Sequence, residues 1–341
     1  MKITLLVLLG LTLVANAFTA LPALGYSSSA GFIIGGYFVF PMMESQSLFS
    51  IDTYYGTNGV IKFQPNLIKK TDWGFLESSL EIRKVLERNW YGWGNETDGD
   101  STALMDFEKG NLLFGFAAPL GDKFFIASGL DVRHSSIFNR EQSNLWDNMP
   151  GEVYASTWTG GLYGEAGVNI PIPLNGNLLV ATDGFFQMGD VSYSGVTTKI
   201  KGTVSPWNRA ELSLGGRVHK QFNIEETPIV YGSGIGQNLN FRGYNDYRFS
   251  GAVWSLAQIE LEQDLFTLKN PEELPLLTMS IAVFAENGTV ADSFDNLSFG
   301  DSHYDYGCGV RFELNPEAKM RVDTAWGDNG MLIQTGFDRA F

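Results

Sequence analysis

A run of acids with an arginine close by is the part of this chain best suited to chemistry, and that chemistry is ion pairing rather than bond making. In the segment Phe249 to Leu265, Gln258, Glu260, Glu262 and Asp264 alternate with the apolar set Val253, Ala257, Ile259 and Leu261. A following segment places Thr278, Ser280, Ala282, Phe284 and Glu286 on one face. Just upstream, Ile235-Gly236-Gln237-Asn238-Leu239-Asn240-Phe241-Arg242-Gly243-Tyr244 is too polar and glycine-rich to cross an apolar layer, so a loop is expected there. Carboxylates withdrawn from water stay charged only beside a cation and hydrogen-bond donors, and a planar guanidinium can reach two acids at once. A loop carrying Arg242 could brace a wall or gate an opening. The residues alone leave both readings open.

Other chemistries find less support. His134 precedes Ser135 and Ser136, and His303 lies between Asp301-Ser302 and Tyr304-Asp305, but neither spacing forms a nucleophile elbow or a triad signature. His219 falls on a polar strand face and is expected to be a hydrogen-bonded interior residue. Asp98, Asp100 and Asp106 lack a calcium-loop spacing, and no His and Cys cluster occurs. The expectation is no catalytic residue, no metal and no cofactor. Cys308 is the single cysteine, so an internal disulfide is impossible, and its position among apolar residues suits a small hydrophobe facing lipid.

The elements that must hold these residues are strands. Tyr304, Tyr306, Cys308, Val310, Phe312 and Leu314 share one face, opposite Asp305, Gly307, Gly309, Arg311 and Glu313. Met320, Val322, Thr324 and Trp326 oppose Lys319, Arg321 and Asp323, and Met331 to Phe341 repeats the division to an aromatic end, with Arg339 the misfit. Successive strand side chains point oppositely, so one face suits lipid and the other water. At the amino terminus, Lys2, the apolar stretch Ile3 to Val14 and the small-x-small triplet Ala15-Asn16-Ala17 read as a signal peptide over residues 1–17. Beyond it no apolar run approaches the roughly 20 residues of a spanning helix. The expected fold is therefore all-β, a transmembrane antiparallel β-barrel over residues 18–341, with about 16 strands.

Composition agrees. Aromatics at 13% and 39 glycines suit aromatic girdles and a curved sheet, while charged residues at 18% fall below the usual quarter or so. A net charge of -15 repels phosphate backbones and argues against nucleic acid. The segment Ala30 to Phe40 is expected to be the first strand and to close the barrel against Met331 to Phe341. Its Gly31, Gly35 and Gly36 make either a labile seam or a curved wall. Asn175 and Gly176 read as a two-residue hairpin turn, and Asn139 to Tyr154 and Ala291 to Ser302 as outward loops.

Several of these motifs together resemble a known family. Phe241-Arg242-Gly243-Tyr244, Glu260, Glu286 with Gly288, Gly307-x-Gly309-x-Arg311, Arg321-x-Asp323 and the terminal Gly336 to Phe341 look like the BamA-like barrels of the bacterial surface antigen superfamily. Leu21-Pro22 with Gly25-Tyr26-Ser27 and Gly31 is similar to its first strand, and Tyr91-Gly92-Trp93-Gly94-Asn95 to an early loop motif. The resemblance implies a loop folded into the lumen, with Arg242 meeting Glu260 and Glu286. It also implies an outer-membrane location and a role in membrane biogenesis or protein insertion and translocation, with a passive pore or structural barrel as the alternative. Implied partners are outer-membrane lipid, the assembly machinery that inserts the barrel, and periplasmic or outer-membrane proteins. The chain departs from the pattern in Glu262, Asp264 and Glu286, and it reads as a short form without polypeptide-transport-associated domains.

Overall fold

The computed structural model describes residues 19–27, 31–42, 47–97, 101–147, 156–236, 241–245, 248–269, 275–314, 318–328 and 330–338. The expected signal peptide and Phe341 lie outside the described residues. Strands come first as β1 (Thr19–Ser27), β2 (Gly31–Met42), β3 (Ser47–Gly56), β4 (Val60–Thr71), β5 (Gly74–Trp90), β6 (Ala103–Leu120), β7 (Phe124–Arg140), β8 (Ser156–Ile172) and β9 (Gly176–Gly189). After β10 (Tyr193–Val204) and β11 (Ala210–Phe222), a long connection carries the short pair β12 (Gly234–Ile235) and β13 (Phe249–Ser250). The wall resumes with β14 (Val253–Lys269), β15 (Pro275–Ala291), β16 (His303–Leu314), β17 (Ala318–Gly327) and β18 (Gly330–Asp338).

Sixteen of these strands form one sheet in chain order, β12 and β13 standing apart as a ribbon, and every neighbouring pair is antiparallel. Alternation decides which face each residue takes. In β16, Tyr304 and Tyr306 are exposed while Asp305 and Arg311 are buried. In β4 and β5, Ile61, Phe63 and Ile82 point out to the apolar side, and Asn66 is buried within. Cys308 is exposed on the outward face. The two ends of the sheet differ in loop length. Connections at one end are the short segments 72–73, 121–123, 173–175 and 205–209, whereas the connections that follow β5, β7, β11 and β15 at the other end are longer. Short turns on one side and long loops on the other mark a bacterial-type membrane barrel.

Four expectations need correction. Ala30 to Phe40 is not the first strand: β1 precedes it, and β2 is paired on both sides, by β1 and β3. Its glycines therefore cannot loosen a seam. A Cβ on Gly35 would collide with the Thr53 carbonyl oxygen and the Tyr54 side chain, so close strand approach explains that glycine. The edges that face each other are β1 and β18, which lie side by side without a registered ladder between their described residues. Second, Phe249 to Leu265 is not one strand, because Phe249 and Ser250 pair with Gly234 and Ile235 instead of joining the wall. Third, Val253, expected to face outward, is fully buried at the top of β14. Fourth, the hairpin after β8 turns one residue earlier than Asn175-Gly176. Leu174 and Asn175 carry the positive φ angles, 62° and 51°, and Gly176 pairs with Ile172 as the first strand residue.

Candidate functional site

Arg242 leaves the connection between β11 and β14 and ends on the inner faces of β14, β15 and β17, where it is 4% exposed. Its Nε donates to Glu286 Oε1 at 2.8 Å and its backbone N–H to Glu286 Oε2 at 2.7 Å. Its Nη1 lies 2.5 Å from Glu260 Oε2 and 3.5 Å from Asp323 Oδ2. The guanidinium stacks on the Phe284 ring, 3.4 Å from the centroid. Burial works against its charge, but Glu286, Glu260 and Asp323 outweigh that penalty and raise its pKa above the ordinary arginine value.

The acids have further partners. Arg311 Nη1 reaches Asp323 Oδ1 at 2.5 Å and its Nη2 reaches Glu260 Oε2 at 3.2 Å, while Arg321 Nη1 lies 3.4 Å from Asp323 Oδ2. Gln258 Nε2 donates to Glu286 Oε1 at 2.7 Å, and Gln334 Nε2 donates to the Arg242 carbonyl oxygen at 2.5 Å. The next loop residue is held too, since the Gly243 N–H donates to Asp305 Oδ2 at 2.5 Å. Tyr244 places its hydroxyl 2.9 Å from Asp328 Oδ2 and 3.1 Å from the Tyr304 carbonyl oxygen. Five consecutive strands, β14 to β18, and the loop thus share one polar network.

Glycines make the seat flat. A Cβ on Gly243 would strike Asp305, one on Gly307 would strike the Phe284 ring, and one on Gly309 would strike Asp323 Oδ1 and the Val322 carbonyl oxygen. On Gly336 it would press on Arg321 Nε. Gly309→Ala is therefore expected to push Arg311 and Asp323 apart and cost about 1–3 kcal/mol, as overpacking does. Denaturant unfolding of the detergent-solubilised barrel checks this, and a midpoint equal to wild type would contradict it.

The same connection has a second foothold on the opposite wall. Ile229 and Val230, in a single 3-10 turn, pack among Val60, Val85, Trp90, Met105 and Phe107. Tyr231 places its hydroxyl 2.7 Å from the Gly110 carbonyl oxygen and 2.9 Å from that of His134. Its ring has Lys109 and Arg133 over it at 5.9 and 5.3 Å. The loop also buries Ile235, Phe241, Tyr244 and Phe249 against Trp254, Leu256 and Val290 of β14 and β15.

The structure thus brings Arg242, Gly243, Tyr244, Glu260, Glu286, Gly307, Gly309, Arg311, Arg321 and Asp323 into one neighbourhood; Phe341 lies outside the described residues. Asp305, Gln258, Gln334 and Phe284 join them without having been marked as site residues, although alternation already put Asp305 and Gln258 on the inner face. The Ile229–Tyr231 foothold was missed, and the available signal was an apolar triplet inside an otherwise polar loop. His134 and Ser135 point to opposite faces of β7, the ring stacking on exposed Trp158 and the hydroxyl bonding Thr157 within. His219 sits between Thr197 and Gln221 and stacks on Trp254.

This fold is a transmembrane antiparallel β-barrel with long loops at one end and one of them seated on the wall. More particularly, its fold is similar to that of BamA-like barrels. No family model matches the chain, and no curated protein matches it. Among solved structures it resembles BamA from Haemophilus ducreyi lacking POTRA domains 1-3, at 12% identity and a TM-score of 0.58, over 95% of this chain and 70% of that one. CdiB from Escherichia coli gives a TM-score of 0.64 at 10% identity, over 94% of this chain and 61% of that one. CdiB from Acinetobacter baumannii gives 0.60 at 11%, over 94% of this chain and 59% of that one. The likeness is one of fold, and the chain spans only about three fifths of either CdiB.

Proposed function

We propose that this chain is a non-enzymatic bacterial outer-membrane barrel that serves membrane biogenesis, inserting or translocating proteins together with protein partners. The observation that carries the reading is the Arg242 loop. It is fixed to the wall by ion pairs and hydrogen bonds, which can be exchanged, rather than by covalent bonds or a continuous sheet. The edges of β1 and β18, which share no registered ladder among the described residues, support it, since an unpaired sheet edge can admit another strand. The likeness to BamA and CdiB supports it as fold. Outer-membrane lipid is the surrounding solvent of the exposed aromatics, and the cell's own assembly machinery is the partner needed for insertion.

A passive pore is the competing reading, favoured by the charged inner wall of β3 to β10, where Lys62 pairs with Asp52, Lys109 with Glu81 and Lys199 with Glu165. Comparing the outer-membrane proteome with and without the gene separates the two. Depletion of other barrels or exported proteins is the expected result. An unchanged proteome together with steady open currents in planar bilayers would instead establish the pore.

A further inference from the structure

Charge is not balanced where the loop meets the wall. Four carboxyls, Glu260, Glu286, Asp305 and Asp323, meet three guanidiniums, Arg242, Arg311 and Arg321. Arg311 serves Asp323 and Glu260, Arg321 serves Asp323, and Arg242 serves Glu286 and Glu260. Asp305 is the acid left over. It is 1% exposed, its Oδ2 accepts the Gly243 N–H, and its Oδ1 has no hydrogen-bond partner among the described residues. Directly across the β15–β16 ladder stands Glu286, itself 2% exposed and on the same inner face.

We propose that Glu286 and Asp305 share one proton, and that this proton latches the Arg242 loop to the wall. Directly opposed residues of an antiparallel pair have Cβ atoms about 4.5–5.5 Å apart, close enough for two carboxyls to touch. Two buried carboxylates brought together disfavour each other's ionisation, and one proton shared between them relieves the repulsion. This supplies the missing partner of Asp305 Oδ1. Among the described residues the neighbouring donors have other partners. From β14, Gln258 donates to Glu286 and Glu260 is an acceptor engaged by Arg242 and Arg311. From β16 and β17, Arg311 and Arg321 turn to Asp323, and from β18 Gln334 donates to the Arg242 carbonyl. Within the loop, Arg242 is spent on its acids, and the Tyr244 hydroxyl faces Asp328 and the Tyr304 carbonyl. His303 is engaged by Asp328 and the Asn95 carbonyl.

The sign follows from the charges. With the proton in place the pair carries one negative charge, which Arg242 meets, and Gly243 keeps its bond. Removing the proton at alkaline pH puts two full charges on facing buried groups. The loop then loosens from β15 and β16. The latch goes beyond the biogenesis reading and stands or falls independently of it.

The test uses the purified full chain in detergent. Infrared spectra of wild type at neutral pH should show a protonated-carboxyl C=O band that Asp305→Asn removes, because the amide N–H takes the place of the shared proton. Cleavage of the loop by a broad-specificity protease should rise several-fold in wild type from about pH 6 to about pH 9 and stay flat in Asp305→Asn. Glu286→Gln should remove the same band, and it decides the matter if the first variant does not fold. A wild type without the band, a band that survives both substitutions, or identical pH profiles for wild type and Asp305→Asn would overturn the latch.

Discussion

Arg242→Ala is expected to lower the temperature at which the folded band of this barrel converts to the unfolded one on a semi-native gel. The substitution removes the cation from Glu286 and takes one of two cations from Glu260, and it leaves Gln334 facing a displaced loop. Breaking a buried pair by deleting one partner typically costs about 3–5 kcal/mol, because the remaining charge stays desolvated. Arg311 softens the loss at Glu260 and Asp323, so the cost concentrates on Glu286. Arg242→Lys should fall between the two, since an ammonium cannot fork between Glu286 and Glu260 or stack flat on Phe284. Unfolding followed by tryptophan fluorescence gives the same comparison in solution. A transition for Arg242→Ala within error of wild type would mean that the network contributes nothing to holding the loop.

The alternating strands were readable because each face meets a different solvent. From β14 to β17 the pattern Gln258, Glu260, Glu262 or Asp305, Gly307, Gly309, Arg311 is continuous, and the wall follows it. Where a third layer intrudes, the pattern fails. Val253 is apolar and alternation points it to lipid, yet it is buried, next to Trp254, which with Leu256 packs against the seated loop. Phe249 and Ser250 look like strand residues and are, but their partner is the loop ribbon and not β11. Glycine misled for a related reason. Gly35 and Gly176 sit where backbone approaches backbone, which a sequence cannot distinguish from a loose edge or a turn. The pairing of Arg242 with Glu260 and Glu286 came from the resemblance. The contributions of Asp305 and Gln334 depend on register between strands far apart in sequence, which no local spacing encodes.

Ile229→Asp is expected to free the opposite end of the same connection. Ile229 is 3% exposed among Val60, Val85, Trp90, Met105 and Phe107, so a carboxylate there enters an apolar pocket with no cation provided. The pocket expels it, Tyr231 loses its carbonyl contacts at Gly110 and His134, and the 3-10 turn lifts from the wall. The strands themselves keep their ladders, because β5, β6 and β7 pair with one another independently of the loop. The single variant should therefore still insert and migrate as a folded barrel, with brief openings in planar bilayers that wild type lacks. Combining it with Arg242→Ala should do more than add the two effects. Either foothold alone keeps the other end of the loop near the bore, so release requires losing both, and the double variant should conduct steadily. Residues coupled through one element give interaction energies of about 0.5–3 kcal/mol in such cycles. Independent, additive changes with no steady current would show that the loop does not bridge the two walls as one body.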